Sequence, residues 1–117
     1  MKAHIVLAHP ESQSFYGKLA SISRSRLEAA GYDVTLSDLY ADGFDPCEAA
    51  RHYSERSADQ VFHAQTEQRF NAGKNTTPAD VAAEADRLLA ADLLVVHFPL
   101  WCSRAGYSSR YRQRGLY

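Results

Sequence analysis

Cysteine, long apolar runs and an excess of charge of one sign are all scarce in this chain. Its two cysteines, Cys47 and Cys102, lie far apart and outside any C-x-x-C spacing, so a disulfide or zinc framework has little support. No apolar run approaches the roughly 20 residues that span a bilayer, and the first residues lack a signal-peptide layout. The formal net charge of -1 leaves no basic footprint for nucleic acid. We therefore expect a cytoplasmic protein that neither binds nucleic acid nor is embedded in a membrane.

Short motifs that would fix a function are also missing. The sequence has no G-x-x-x-x-G-K-[ST] loop, which excludes a P-loop GTPase. A magnesium-binding receiver domain needs an acidic cluster after its first strand, and none is present. His4, His52 and His63 share no metal-ligand spacing, so we predict no metal site. His97 lies inside an apolar strand pattern, where we expect a hydrogen-bonded core histidine rather than a ligand.

The most informative segment is the opening of the chain. A short apolar run, Ile5 to Ala8, is followed by a polar turn with Ser12 and Ser14 and then by an amphipathic helix pattern from Phe15. This order predicts a strand, a loop of phosphate size and a helix N-terminus. Backbone N–H groups and the helix dipole favour an anion there, such as a cofactor phosphate.

The remaining pattern continues this alternation of strands and helices. The first helix is predicted to end at Gly31, with an apolar stripe on one side, and a second strand to cover residues 32–36. Residues 37–77 are predicted to be irregular, apart from a helical piece between 60 and 71. Acids in this stretch, such as Glu48, Glu55 and Asp59, are expected on a solvated surface. A further helix should begin with Thr77 as its cap and Pro78 and Asp80 in its first turn. The predicted stripes are Phe15, Leu19, Ile22, Leu27 and Ala30 in the first helix, and Val81, Ala85, Leu88 and Leu89 in the last.

The run ADLLVVHF, residues 91–98, is too apolar for a strand with one buried face, so we predict a parallel strand covered on both faces. The order strand, helix, strand, helix, strand indicates an α/β fold, an open parallel sheet with helices on both faces. In such sheets ligands bind beyond the carboxyl ends of the strands. The loops at that edge are HPESQSF and PLW.

At these loops the chain resembles the flavodoxin-like NAD(P)H:quinone oxidoreductases, the group of DT-diaphorase, modulators of drug activity and potassium-efflux ancillary proteins. AHPESQSF resembles the first loop of that family, and ADLLVVHFPLW resembles its third strand and flavin-cradling turn. SDLYADGFDP and FHAQTEQRFNAG resemble segments between them. The resemblance covers residues 1–101 and predicts a flavodoxin-like domain over that range.

The resemblance implies a set of cofactor-binding residues. His9, Ser14 and Phe15 would contact the phosphate region of the flavin nucleotide, and Pro99, Leu100 and Trp101 would lie along its ring. The family usually has Asn after Phe15, where this chain has Tyr16. Simpler alternatives remain open: Ser12 and Ser14 as helix caps, His9 as an exposed loop residue, and Trp101 as a core anchor. No residue is predicted to act as an acid or base.

The implied activity is two-electron reduction of a quinone by NAD(P)H through FAD or FMN. The segment from Ser37 to Pro46 favours FAD slightly, because it resembles the larger quinone reductases. Full-length relatives are expected to be homodimers. Two alternatives are a regulatory subunit of a potassium-efflux transporter and an inert fragment.

Residues 102–117 break the family pattern. Four arginines in sixteen residues, without apolar periodicity, predict a disordered tail. Codons can be chosen for Gly106 to Tyr117 that, read one nucleotide later, spell AILQGIDSVVS, which is close to the segment that the family has next. We therefore hypothesise a frameshifted or truncated gene product, with an incomplete domain, weak flavin binding and an exposed edge on the third strand.

Overall fold

A three-stranded parallel sheet organises the molecule. The computed structural model describes residues 1–99, and within them the strands are β1 (Lys2–Leu7), β2 (Asp33–Asp38) and β3 (Leu93–His97). Their spatial order is β2-β1-β3. The helices are α1 (Phe15–Ala29), α2 (Ala64–Lys74) and α3 (Ala79–Ala90), with a short 3-10 helix at Ala50–His52. The predicted fold class is confirmed for this part of the chain.

The central strand β1 carries the core on both of its faces. Ile5 and Leu7 pack with Ala20 of α1 on one face. Val6 packs on the other face with Ala8, with Leu39 and Phe44 of the segment after β2, and with Val81 of α3. This burial on both sides is the pattern expected of a central parallel strand.

Helix α1 starts as the sequence predicts and ends at Ala29, two residues before the predicted Gly31, and it turns a different face to the sheet. Ser14 caps its start, and Gly31 follows its end with a left-handed φ of 89°. Phe15 and Ile22, which belong to the predicted stripe, are exposed. The residues facing the sheet are Tyr16, Ala20, Ser23 and Leu27. The small Ala20 lets the helix approach the strands closely, so that part of the predicted stripe was wrong.

The segment between β2 and α3 folds around buried acids and amides rather than around an apolar stripe. Helix α2 begins later than predicted, at Ala64, and ends at Lys74, followed by the C-cap Asn75, whose φ is 63°. Glu67 of α2 is 1% exposed and accepts hydrogen bonds from the backbone N–H (3.0 Å) and the hydroxyl (2.9 Å) of Ser57. Asn71, also of α2, is fully buried and donates to the carbonyl oxygen of Glu55.

The three acids predicted to lie on the surface of this segment differ in burial. Glu55 and Asp59 lie on the surface as predicted, but Glu48 is half-buried and accepts from Tyr53 and Gln68. The prediction of a solvated surface was therefore wrong for Glu48.

Asp45 lies in the same segment and accepts three hydrogen bonds. Its carboxylate accepts from the backbone N–H of Cys47, from Arg51 and from His52. These donors hold the pKa of Asp45 well below its usual range, and the Cys47 N–H has the largest effect.

Helix α3 has Pro78 at its N-cap, with no side chain capping it, so the prediction of Thr77 as cap was wrong. The carboxylate of Asp80 instead accepts from the N–H of Val81 in the first turn, near the positive end of the helix dipole. Val81, Ala85 and Leu88 contact the core as predicted, whereas Leu89 is 85% exposed.

A buried polar network joins α3 to the sheet. His4 is fully buried, with Nδ1 2.7 Å from the hydroxyl of Thr35 and Nε2 3.2 Å from that of Ser37. The Ser37 hydroxyl donates to the carboxylate of Glu84, 2.7 Å away, which also pairs with Arg87. Since the Ser37 proton points to Glu84, Ser37 accepts from His4, and Nε2 of His4 carries a proton.

Strand β3 is shorter than predicted and less covered. Val95 packs under α1, but Leu94 is 49% and Val96 40% exposed. The prediction of a strand covered on both faces was wrong for the described residues, because α3 packs over β1 and the loop after β2 instead. Among residues 1–99, β3 has β1 as its single neighbour, as expected of an edge strand.

The predicted tail at 102–117 lies outside the described residues, as do Leu100 and Trp101. Within residues 1–99, no helix is long and apolar enough to cross a membrane.

Candidate functional site

The loops after β1 and β3 begin side by side. The backbone N–H of Ala8 donates to the carbonyl oxygen of His97, with 2.9 Å between N and O. Parallel strands direct their carboxyl ends to one edge of the sheet, so the predicted loop HPESQSF and the start of PLW share that edge. This is the position that the sequence predicts for the ligand.

The loop after β1 is closed by its own hydrogen bonds. The N–H of Glu11 donates to Nδ1 of His9 (3.0 Å), and the N–H of Gln13 donates to the Glu11 carboxylate (2.9 Å). The N–H of Ser14 donates to the carbonyl oxygen of Glu11 (3.1 Å). The loop backbone therefore reaches the start of α1 in a defined, hydrogen-bonded shape.

The first turn of α1 contains backbone N–H groups that are available as hydrogen-bond donors. The hydroxyl of Ser14 accepts from the N–H of Gly17 at 3.1 Å, which confirms its role as a cap. The N–H groups of Phe15 and Tyr16 donate to no group in the described part of the chain. There is no acid in this first turn. Two open amides at the positive end of a helix dipole fit a phosphate group, which is the anionic part of a flavin nucleotide.

Gly17 is a site-forming residue that the sequence analysis did not identify. A Cβ at this position would lie 2.0 Å from the carbonyl oxygen of Ser12, so only glycine allows the loop backbone to pass this close to the helix. The one signal in the sequence is a glycine inside a helix pattern, where it weakens the helix unless packing requires it.

Three of the predicted residues form an aromatic group at this edge, made of His9, Phe15 and Tyr16. The rings of His9 and Tyr16 are stacked, with centroids 5.9 Å apart and planes 21° apart. The Phe15 ring meets Tyr16 edge-on, with centroids 5.5 Å apart. Phe15 is 69% exposed, so it offers a large apolar surface beside the open amides.

The end of β3 supplies the other side of this edge. Nε2 of His97 lies 3.0 Å from the hydroxyl of Ser23, which confirms His97 as a hydrogen-bonded histidine, and its partial burial lowers its pKa. Phe98 packs on the core cluster around Val6 and Ala8, and Pro99 is half-buried. Of the three residues predicted to line the ring, only Pro99 lies in the described range.

Comparison with known proteins agrees with the fold of this chain. The sequence profile of a family described by its flavodoxin-like fold matches residues 1–105. The chain belongs to this flavodoxin-like family. It is 34% identical over 101 residues to ribosyldihydronicotinamide dehydrogenase (quinone) of Pongo abelii, a match that covers 86% of this chain and 44% of that protein. It is 33% identical over 101 residues to NAD(P)H dehydrogenase (quinone) 1 of Rattus norvegicus, covering 86% of this chain and 37% of that protein.

Two solved structures share this fold. A Klebsiella pneumoniae protein described as a quinone reductase superposes with a TM-score of 0.90 at 30% identity, over 97% of this chain and 44% of that one. NAD(P)H:quinone oxidoreductase from Methanothermobacter marburgensis superposes with a TM-score of 0.76 at 23% identity, over 97% of this chain and 52% of that one, which shows the shared fold. The chain thus spans less than half the length of the curated relatives above.

Proposed function

We propose that this chain belongs to a flavin-dependent NAD(P)H:quinone oxidoreductase and supplies the phosphate-binding end of the flavin site. The observation that carries the proposal is the pair of open amides, Phe15 and Tyr16, at the start of α1 and at the same sheet edge as the end of β3. The names of the relatives supply the substrate class, because they are quinone dehydrogenases.

The residues divide into two roles in this proposal. The amides of Phe15 and Tyr16 would donate to the phosphate, with Ser14 holding the helix start and His9 beside it. Pro99, Leu100 and Trp101 would lie along the isoalloxazine ring, where a flat apolar wall is needed. When bound, the flavin would supply the two-electron chemistry between NAD(P)H and a quinone. The protein's part is to bind and orient the flavin and the two substrates.

The type of flavin, the oligomeric state and the domain bounds are part of the same proposal. We propose FAD, with FMN as the alternative, because the segment 37–46 resembles the larger quinone reductases. We also propose a homodimer, because the resembled family implies one. A flavodoxin-like domain over residues 1–101, followed by a tail of different composition at 102–117, is also a proposal.

The first test is the binding of flavin and the reduction of a quinone. The purified chain is mixed with FAD or FMN, separated from free flavin, and examined for flavin absorbance and for quinone-dependent oxidation of NADH and NADPH. Yellow protein that reduces a quinone is expected. Protein that retains neither flavin at any ratio would contradict the proposal.

A charge variant links the binding to the start of α1. Phe15→Asp places a carboxylate where the phosphate would lie, yet an acid in the first turn stabilises a helix by about 0.3–1 kcal/mol. We therefore expect flavin affinity to fall at least about tenfold without a lower melting temperature. Ile22→Asp is the matched control, since Ile22 is 56% exposed on the same helix but lies beyond the first turn. Equal flavin affinity of Phe15→Asp and wild type would contradict this location.

A further inference from the structure

We propose that Tyr16 is a positioning residue, which fixes the ring orientation and the tautomer of His9 so that Nε2 carries the proton. The inference rests on the function proposed above and deepens it. It gives a role to the position at which this chain departs from the resembled pattern, where Asn is usual.

The hydrogen bonds of the loop select the tautomer of His9. Nδ1 lies 3.0 Å from the backbone N–H of Glu11, a donor, and 3.2 Å from the Glu11 carbonyl oxygen, an acceptor. In the neutral ring with the proton on Nε2, Nδ1 accepts from the Glu11 N–H. The neutral form with the proton on Nδ1 could donate to the carbonyl oxygen at the longer 3.2 Å, but it would set its N–H against the Glu11 N–H at 3.0 Å. The loop therefore favours the neutral form that carries its proton on Nε2.

The stack on Tyr16 holds the ring in the orientation that these hydrogen bonds need. The two ring planes differ by 21°, with centroids 5.9 Å apart, which is within the range of a favourable offset pair. Nδ1 is directed at the loop backbone, so Nε2 lies on the opposite edge of the imidazole. A donor on that edge is the form that an anionic phosphate can use.

Tyr16 can hold the ring because it is itself held on two sides. Its side chain packs against the core cluster of Ile5, Leu7 and Ala20. The Phe15 ring meets it edge-on, with planes 82° apart. Asparagine has no ring to stack on His9, so Tyr16 changes how the phosphate end is organised in this chain.

The tautomer is measured directly in the protein without flavin. Nitrogen-15 NMR of the imidazoles distinguishes a protonated from an unprotonated nitrogen, and His9→Gln assigns the His9 signals. We expect wild type and Tyr16→Phe to show the Nε2–H form, because both keep the stacked ring. Tyr16→Leu keeps the apolar packing but not the ring, and its His9 should show a mixture of both tautomers. An unchanged His9 spectrum in Tyr16→Leu, or an Nδ1–H form in wild type, would overturn the proposal.

A second readout connects the tautomer to the phosphate. FMN and riboflavin share the ring system, but only FMN has a phosphate. Tyr16→Leu should weaken FMN binding about twofold to tenfold and leave riboflavin binding unchanged, and Tyr16→Phe should restore FMN affinity. Equal loss for both ligands would overturn the role of Tyr16 at the phosphate. Absence of FMN binding in wild type would contradict the proposed function instead, while the NMR result still decides the role of Tyr16.

Discussion

The close approach of α1 to the loop after β1 makes Gly17→Ala the most informative stability variant. The added methyl group would lie 2.0 Å from the carbonyl oxygen and 2.8 Å from the carbonyl carbon of Ser12. These are backbone atoms, so the clash is relieved only if the loop or the helix moves. Overpacking of this kind costs up to about 3 kcal/mol, and the better helix propensity of alanine returns about 1 kcal/mol. We expect a net loss of about 2 kcal/mol.

The assay for this variant is thermal unfolding followed by circular dichroism, together with an FMN titration. A loss of about 2 kcal/mol corresponds to a fall in melting temperature of roughly 10 °C for a domain of this size. Gly73→Ala is the matched control, because Gly73 lies in α2 with no atom within 4 Å of its added Cβ. That control should be neutral or stabilising by up to about 1 kcal/mol. If Gly17→Ala gains stability as Gly73→Ala does, the described packing of the loop is wrong.

Three further predictions concern the network of Glu84, the charge of Glu67 and the edge of β3. Glu84→Ala leaves the buried Ser37 hydroxyl without its acceptor and should cost about 1–3 kcal/mol in urea unfolding; an unchanged midpoint would contradict the network. The Ser57 N–H lowers the pKa of Glu67, so its stabilising contribution is complete above the ordinary pKa of 4.5 and is lost as pH falls through the folded value. Glu67→Gln should therefore flatten the decline of unfolding free energy in acid, and a decline as steep as that of wild type would refute this. Leu94→Lys, at a half-exposed edge position, should reduce concentration-dependent light scattering, and no reduction would show that this edge does not drive association.

The sequence predicts the order of elements well because alternation of apolar strands and amphipathic helices reports burial directly. It predicts the face of α1 poorly, since Phe15 and Ile22 look like core residues but are exposed. The close contact with the sheet is made by the small Ala20, and Ser23 is placed inward to meet His97. Residue type alone does not reveal that a hydroxyl is needed at that position.

The candidate site could be located from the sequence, but its construction could not. The two loops and the capping role of Ser14 follow from the chain order and from helix-start signals. The stack of Tyr16 on His9 depends on ring positions, and the need for Gly17 depends on how the Ser12 carbonyl passes the helix. Both are contacts that have no pattern in the sequence.

A titration of the isotope-labelled protein with FMN, monitored through its backbone amide signals, tests directly whether the start of α1 binds the phosphate. We expect the largest shifts at Phe15 and Tyr16, with smaller ones at His9 and at Phe98 near the end of β3. Inorganic phosphate should move the first two amides in the same direction. Shifts confined to another part of the chain, such as the surface of Ser57 and Arg69, or no shifts at millimolar FMN, would contradict it.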